Sequence, residues 1–228
     1  MNYFQELAAK YDAWFQTPHG KYVYKYEREM IDRLLDISSG VQVLDVGCGT
    51  GIYTQELLMK GARVIGMDIS PEMLSIAKYK TERFGDQVCF LEADAGNMPF
   101  PDSQFDVVVS VTAMEFFSEP RTCLQEMYRV LRPGGHMVVA TLNSKSLWAV
   151  ERRLKSWITK TVFSNARFYS INDIKDMIQP QHVSRWEGGI FIPPFFPKSL
   201  INKPDTIERW CQKWIPSCGA FVAARIDK

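Results

Sequence analysis

The run Val43-Leu44-Asp45-Val46-Gly47-Cys48-Gly49-Thr50-Gly51 constrains this chain more than any other segment. Val41, Val43, Leu44 and Val46 read as a buried strand, and Ile52, Leu57 and Leu58 begin a helix directly after it. Between them, alternating glycines allow backbone conformations closed to other residues and let a ligand come close to the main chain. A strand, a glycine turn and a helix of this kind form a ligand-binding edge of a parallel sheet, with the helix N-terminus turned toward the ligand. The spacing bears on which ligand. A dinucleotide turn uses Gly-x-Gly-x-x-Gly to seat a pyrophosphate, whereas here the pattern is Gly-x-Gly-x-Gly with Asp45 two residues ahead. A carboxylate at that point repels phosphate and suits a cationic amine.

Two more acids follow at strand ends. Val64-Ile65-Gly66-Met67-Asp68 reads as the second strand and closes on a carboxylate roughly 20 residues beyond the glycine turn, where such folds bind ribose hydroxyls. Ser70 serves as N-cap of the next helix with Pro71 at its first position, so Asp68 is not needed as the cap. Val88-Cys89-Phe90-Leu91, the third strand, runs into Glu92-Ala93-Asp94-Ala95. Asp94 is placed to accept from an adenine amine; the alternative is that Asp94 and Asn97 only shape the turn.

These residues together resemble the class I S-adenosylmethionine-dependent methyltransferases, most closely their small-molecule branch of the ubiquinone-biosynthesis type. The likeness covers about residues 40–143 and includes Phe105-Asp106-Val107-Val108-Val109-Ser110, similar to the family's fourth strand, and Leu131-Arg132-Pro133-Gly134-Gly135-His136, similar to its turn into strand five. It implies an α/β fold, a Rossmann-like seven-stranded mostly parallel sheet with helices on both faces. It implies S-adenosylmethionine as cofactor: Asp45 and the backbone of Gly47, Cys48, Gly49 and Gly51 on the methionine part, Asp68 on the ribose, Asp94 and Ala95 on the adenine, Ile69 and Met73 lining the adenine pocket. The methyl group then points past strand four, toward Val111, Thr112, Met114 and Phe116, where the substrate enters.

The expected organisation is a single domain: an N-terminal helical lid over residues 1–38, the cofactor core over 40–143, a helical cap insertion over 144–169 and the C-terminal half of the sheet over 170–228. A chain of 228 residues with 46% hydrophobic content suits one such α/β domain. Its formal net charge of +1 gives no global field for nucleic acid, so the expected partner is a small-molecule acceptor, with the protein a monomer or homodimer. The N-terminus lacks a signal-peptide pattern, and no apolar run is long enough for stable membrane insertion. Five scattered cysteines are expected to be reduced, in the cytoplasm, and no metal site is expected.

In the lid, Phe4, Leu7, Ala8, Tyr11, Trp14 and Phe15 recur at helical spacing, a second helix spans Val23 to Leu35, and Pro18-His19-Gly20 separates the two. Tyr11-Asp12-Ala13-Trp14-Phe15 resembles a lid that covers the cofactor, with Tyr11 reaching the methionine or sulfonium region; ordinary helix packing is the alternative. In the cap, Leu147, Val150, Leu154, Trp157 and Ile158 form an apolar stripe, with Arg152, Arg153 and Lys155 around the rest as a solvated or anion-attracting face. Further on, Ser170 and Asp173 make a helix start, followed by two late strands, Val183–Ile192 and Gly219–Ile226, around a helix near 206–214.

Substrate contacts are expected from Trp14, Met114, Phe116 and Trp148. Methyl transfer to a positioned nucleophile depends mainly on alignment and desolvation, so a base is optional; His19 and Glu115 are the candidates by position, whereas His136 suits the core. The competing readings are a non-catalytic S-adenosylmethionine-binding protein and a nicotinamide-dependent oxidoreductase, the latter disfavoured by Asp45 and the glycine spacing.

Overall fold

A computed structural model of the chain describes residues 13–156, 166–193, 196 and 204–228, and the side chains of all of these but 153–156. Its elements are α1 (Pro18–Leu34), β1 (Gln42–Val46), α2 (Ile52–Met59), β2 (Arg63–Asp68), α3 (Pro71–Thr81), β3 (Val88–Glu92), β4 (Phe105–Val111), α4 (Pro120–Val130), β5 (Leu131–Leu142), α5 (Leu147–Ser156), α6 (Ile171–Met177), β6 (Arg185–Gly189), α7 (Pro204–Trp214) and β7 (Phe221–Asp227).

The strands form one seven-stranded sheet in the order β3-β2-β1-β4-β5-β7-β6. The first five are mutually parallel, and β7 runs antiparallel to both of its neighbours. The order reverses at β1 and β4, the switch point where open α/β sheets bind ligands beyond the strand C-termini.

Successive residues of a strand face opposite sides, and the central strands use this to feed two cores. Val107, Val109 and Val111 of β4 and Val138, Ala140 and Leu142 of β5 join α1 and α2 on one face. Val108 of β4 and Met137 and Val139 of β5 join Leu124 and Met127 of α4 and Ile174 of α6 on the other. His136 is buried in this frame, where its Nε2 accepts the Asp36 N–H at 3.2 Å, and burial holds it down at about 4.

Two expectations about the flanks need correction. The break between the two helices falls at Thr17, one residue before Pro18-His19-Gly20: residues 13–16 are helical, and the triplet is the first turn of α1, capped by Thr17, whose side chain accepts the Gly20 N–H at 3.0 Å. Proline at the first helical position needs no donor partner, so the triplet starts a helix instead of breaking one. In α5 the two described side chains of the expected apolar stripe do not pack: Leu147 is 62% exposed and Val150 53%, while Trp148 and Ala149 are buried. Trp148 is anchored by its indole N–H, which donates to the Ile192 carbonyl at 3.1 Å, and this turns the helix by one residue from the face its period suggests. The helix start at Ser170 has the expected capping box with Asp173.

Candidate active site

The glycine turn links β1 to α2. Gly47, Gly49 and Gly51 have φ of +69°, +53° and +78°, in the left-handed region that favours glycine. Their surroundings differ. A Cβ on Gly47 would lie 2.3 Å from the Ala113 Cβ, and one on Gly51 would lie 3.0 Å from the Ala77 Cβ, whereas one on Gly49 meets nothing within 4 Å. Two glycines therefore serve packing, and the middle one leaves open backbone for a ligand.

Most of the turn's donors are used within the protein. Gly47 and Cys48 donate their N–H groups to the Met67 carbonyl at 2.8 and 3.0 Å, and Gly51 donates to the Cys48 carbonyl at 2.9 Å. Gly49 donates to Asp68 Oδ2 at 2.8 Å, and Ser70 N–H donates to Asp68 Oδ1 at 2.9 Å. A pyrophosphate needs such donors free; a turn that has used them, beside two carboxylates, suits a ligand with positive charge. Asp45 is buried in β1 and accepts the Thr54 hydroxyl at 2.6 Å; burial, eased by that bond, pushes its carboxyl up to about 7. Burial also raises Asp68, against the pull of its backbone hydrogen bonds.

The register brings these acids to one edge, since Asp68 pairs with Glu92, two residues before Asp94, and Val46 pairs with Met67. Asp94 is exposed and its Oδ1 accepts the Gly96 N–H at 2.8 Å, so it does shape its own turn. Ala95 is buried, Met73 half-buried, and Ile69 is 71% exposed beside the edge. Val111 ends β4 inside the core; Thr112, with φ +49°, turns the chain out of the strand while its N–H donates to the Ala140 carbonyl at 2.8 Å. A non-glycine residue held in that region at a switch point is strain concentrated at a site.

The expected substrate contacts scatter. Met114 is fully buried in the core, packed with Leu44, Val46 and Met67, and cannot face a substrate. Its apolar side chain follows the β4 hydrophobic face inward, and Phe116, 52% exposed, is the residue of that turn that faces out. Trp148 is 5% exposed and anchored by its N–H, a wall more than a contact. Trp14 is half-buried ahead of α1, and His19 packs its ring 5.5 Å from that of Trp148. Tyr11, Trp157 and Ile158 lie outside the described residues, and so does the side chain of Leu154.

Glu115 is 1% exposed in the 3-10 turn Met114–Phe116, and its Oε1 accepts the Leu142 N–H at 2.6 Å. Sequence reasoning missed its neighbours. Glu27, buried on the inner face of α1, accepts the Tyr53 hydroxyl at 2.9 Å, and Arg152 of α5 turns inward over the rings of Trp148 and Phe168. Burial pushes both Glu27 and Glu115 up to about 7, opposed in each by the charge of Arg152. Glu27 had a signal: it stands in the stripe Val23, Glu27, Met30 and Leu34 of α1, a charge where helical spacing calls for an apolar residue.

Comparison with known proteins fits this geometry. The family description "Methyltransferase domain" matches residues 44–139. The demethylmenaquinone methyltransferase of Paenarthrobacter aurescens is 31% identical over 193 residues, 80% of this chain and 74% of that protein. The chain belongs to the class I S-adenosylmethionine-dependent methyltransferases. Within that family, the demethylmenaquinone methyltransferase of Thermus thermophilus is 38% identical over 138 residues, 60% of this chain and 62% of that protein. The chain spans between 44% and 62% of the length of the first curated relatives it matches. A crystal structure of a methyltransferase from Thermotoga maritima shares the fold, with a TM-score of 0.73 at 23% identity over 98% of this chain and 97% of that one. Membership removes the nicotinamide reading and gives S-adenosylmethionine as the family's cofactor. Among the described residues no helix is long and apolar enough to cross a membrane.

Proposed function

We propose that the protein transfers the methyl group of S-adenosylmethionine to a small-molecule acceptor. The observation that carries this is the turn itself: open backbone at Gly49, donors already used, and the carboxylates of Asp45 and Asp68 beside it. The relatives support the acceptor class, because their names specify demethylmenaquinone, a ubiquinone precursor step and malonyl-[acyl-carrier protein] as what they methylate or serve.

In this reading Asp45 and the turn from Gly47 to Gly51 hold the methionine end, Asp68 takes the ribose hydroxyls, and Asp94, Ala95, Ile69 and Met73 surround the adenine. Val111 and Thr112 border the sulfur. The bound cofactor supplies an electrophilic methyl on a cationic sulfur. The chain's part is to orient it and exclude water, as the buried ends of β4 and β5 do. Near-neutral net charge and the relatives' substrates favour action without nucleic acid, as a cytoplasmic monomer or homodimer.

Calorimetry with S-adenosylhomocysteine tests the cofactor half, and release of that product from S-adenosylmethionine on addition of candidate acceptors tests the transfer. Micromolar binding without turnover across quinol, phenol, amine and thioester acceptors would instead indicate a non-catalytic binder.

A further inference from the structure

Helix α7 is built inside out. Ile207, Trp210, Cys211 and Trp214 recur at the i, i+3, i+4, i+7 spacing of a face that normally packs on a core. The structure reverses this: the buried residue is Glu208, while Trp210 and Trp214 are 61% and 63% exposed, and Ile207 and the following Ile215 are exposed with them.

Polar anchors hold the helix in that rotation. Glu208 accepts the N–H groups of Ile190 and Phe191 and the Tyr22 hydroxyl, and Asp205 in the first turn accepts the Tyr26 hydroxyl and pairs with Lys25 at 2.6 Å. Turning the tryptophans inward would strip two N–H groups and two hydroxyls of their acceptors, a larger loss than leaving indoles in water. The anchor also fixes where the exposed face lies. Gly189 at the end of β6 pairs with Phe221, and Phe221 pairs with Leu142 at the end of β5, so Glu208 grips the chain at the sheet edge where the parallel strands end.

The neighbours of the tryptophans identify what this face meets. Arg209 and Lys213, one turn apart on the helix, are both exposed, and Lys213 Nζ stands 5.3 Å from the centre of the Trp214 ring. Asp205, the exposed acid of the helix, is already paired with Lys25, so the face presents two indoles beside two cations. Indoles settle at the headgroup level of a bilayer and cations beside them are drawn to anionic lipid. A second copy seated on the same face through a two-fold axis would bring its own Arg209 and Lys213 against these, which disfavours that occupant. We propose that α7 docks the protein on the surface of an anionic lipid bilayer, with Trp210 and Trp214 among the headgroups and Arg209 and Lys213 on their phosphates. This contact is peripheral, and it rests on burial and charge independently of the methyl-transfer reading.

The test sediments the full chain with vesicles of phosphatidylcholine alone and of phosphatidylcholine with about one third phosphatidylglycerol. Binding to the anionic vesicles is expected, about tenfold weaker on the neutral ones and weakened by added salt. Trp210→Gln combined with Trp214→Gln is expected to lower partition to the anionic vesicles about tenfold, with the melting temperature unchanged because both side chains are exposed. Arg209→Gln combined with Lys213→Gln is expected to remove the preference for anionic over neutral vesicles. Brominated lipid is expected to quench the tryptophan fluorescence of the wild-type chain and to lose most of that effect on the tryptophan variant. No sedimentation with the anionic vesicles, or equal partition of wild type and tryptophan variant, overturns the proposal. Concentration-dependent self-association of the wild-type chain that the tryptophan variant loses would also overturn it and assign the face to a second copy.

Discussion

The carboxylate of Asp68 accepts the backbone N–H of Gly49 at 2.8 Å, which ties the acid at the end of β2 to the one glycine of the turn with open space beside it. The same carboxylate accepts Ser70 N–H through its other oxygen, so its orientation is set before any ligand arrives. Preorganisation of this kind spares a binding site the cost of ordering it.

Asp68→Ala is therefore expected to weaken S-adenosylhomocysteine binding by about 1 to 3 kcal/mol, the scale of charge-assisted hydrogen bonds to ribose hydroxyls. Calorimetry reads this directly. An unchanged Kd would remove Asp68 from the site.

The two packing situations in the turn predict opposite behaviour for two alanine variants. Gly47→Ala drives a methyl to 2.3 Å from the Ala113 Cβ and should lower stability by about 2 to 4 kcal/mol, combining overpacking with the left-handed φ. Gly49→Ala meets no protein atom and should cost only about 1 to 2 kcal/mol, from its φ alone. It is nevertheless expected to reduce cofactor affinity about tenfold or more, because its methyl occupies the approach. Thermal denaturation and calorimetry on both proteins check the pair; a Gly49→Ala protein that binds like wild type would show that the ligand does not come near that backbone.

Asp45 gives a pH signature. Burial raises its folded-state pKa to about 7, above the ordinary 3.8. The folded state thus holds the proton more tightly than the unfolded chain, so this contribution is fully present below about pH 4 and is lost as pH rises toward 7. Asp45→Asn retains an acceptor for Thr54 and removes that loss. It should be more stable than wild type at pH 8, by on the order of 1 to 3 kcal/mol, with the difference shrinking at pH 5. Cofactor binding should weaken at the same time if the carboxylate pairs with the methionine amine. Equal pH dependence of the two melting curves would rule out a raised Asp45.

Glu208 of α7 is 1% exposed and accepts Ile190 N–H at 3.0 Å, Phe191 N–H at 2.8 Å and the Tyr22 hydroxyl. It thereby joins α7, α1 and the segment after β6, where Ile190 has φ +66°, a conformation unfavourable for a β-branched residue. Glu208→Gln supplies one oxygen for two buried N–H groups, and a loss of about 2 to 4 kcal/mol is expected. Tyr22→Phe should cost about 1 kcal/mol. Denaturant titration distinguishes them, and similar small losses in both would mean that the N–H groups find other acceptors.

Local signals were sufficient wherever the chemistry is local. Alternating glycines, a strand-terminal acid and a Ser-x-x-Asp helix start each depend on neighbours a few residues away. Where sequence reasoning failed, the deciding contact was distant. The period of α5 suggested Leu147 and Val150 as its packed side, but the indole of Trp148 is fixed by Ile192, 44 residues further on. Met114 looked like a pocket residue because it follows β4, yet the turn carries it into the core against β1 and β2.

By itself the sequence located the early strands, the glycine turn and the three acids beside them, because strand period and glycine conformation are properties of short segments, while the seven-stranded sheet was implied by the family resemblance. Only the tertiary structure showed that Gly47 and Gly51 are packed while Gly49 is open, and that Glu27 and Glu115 are buried. Those facts depend on which surfaces the folded chain brings within a few ångströms of each other, and no spacing along the chain encodes that distance.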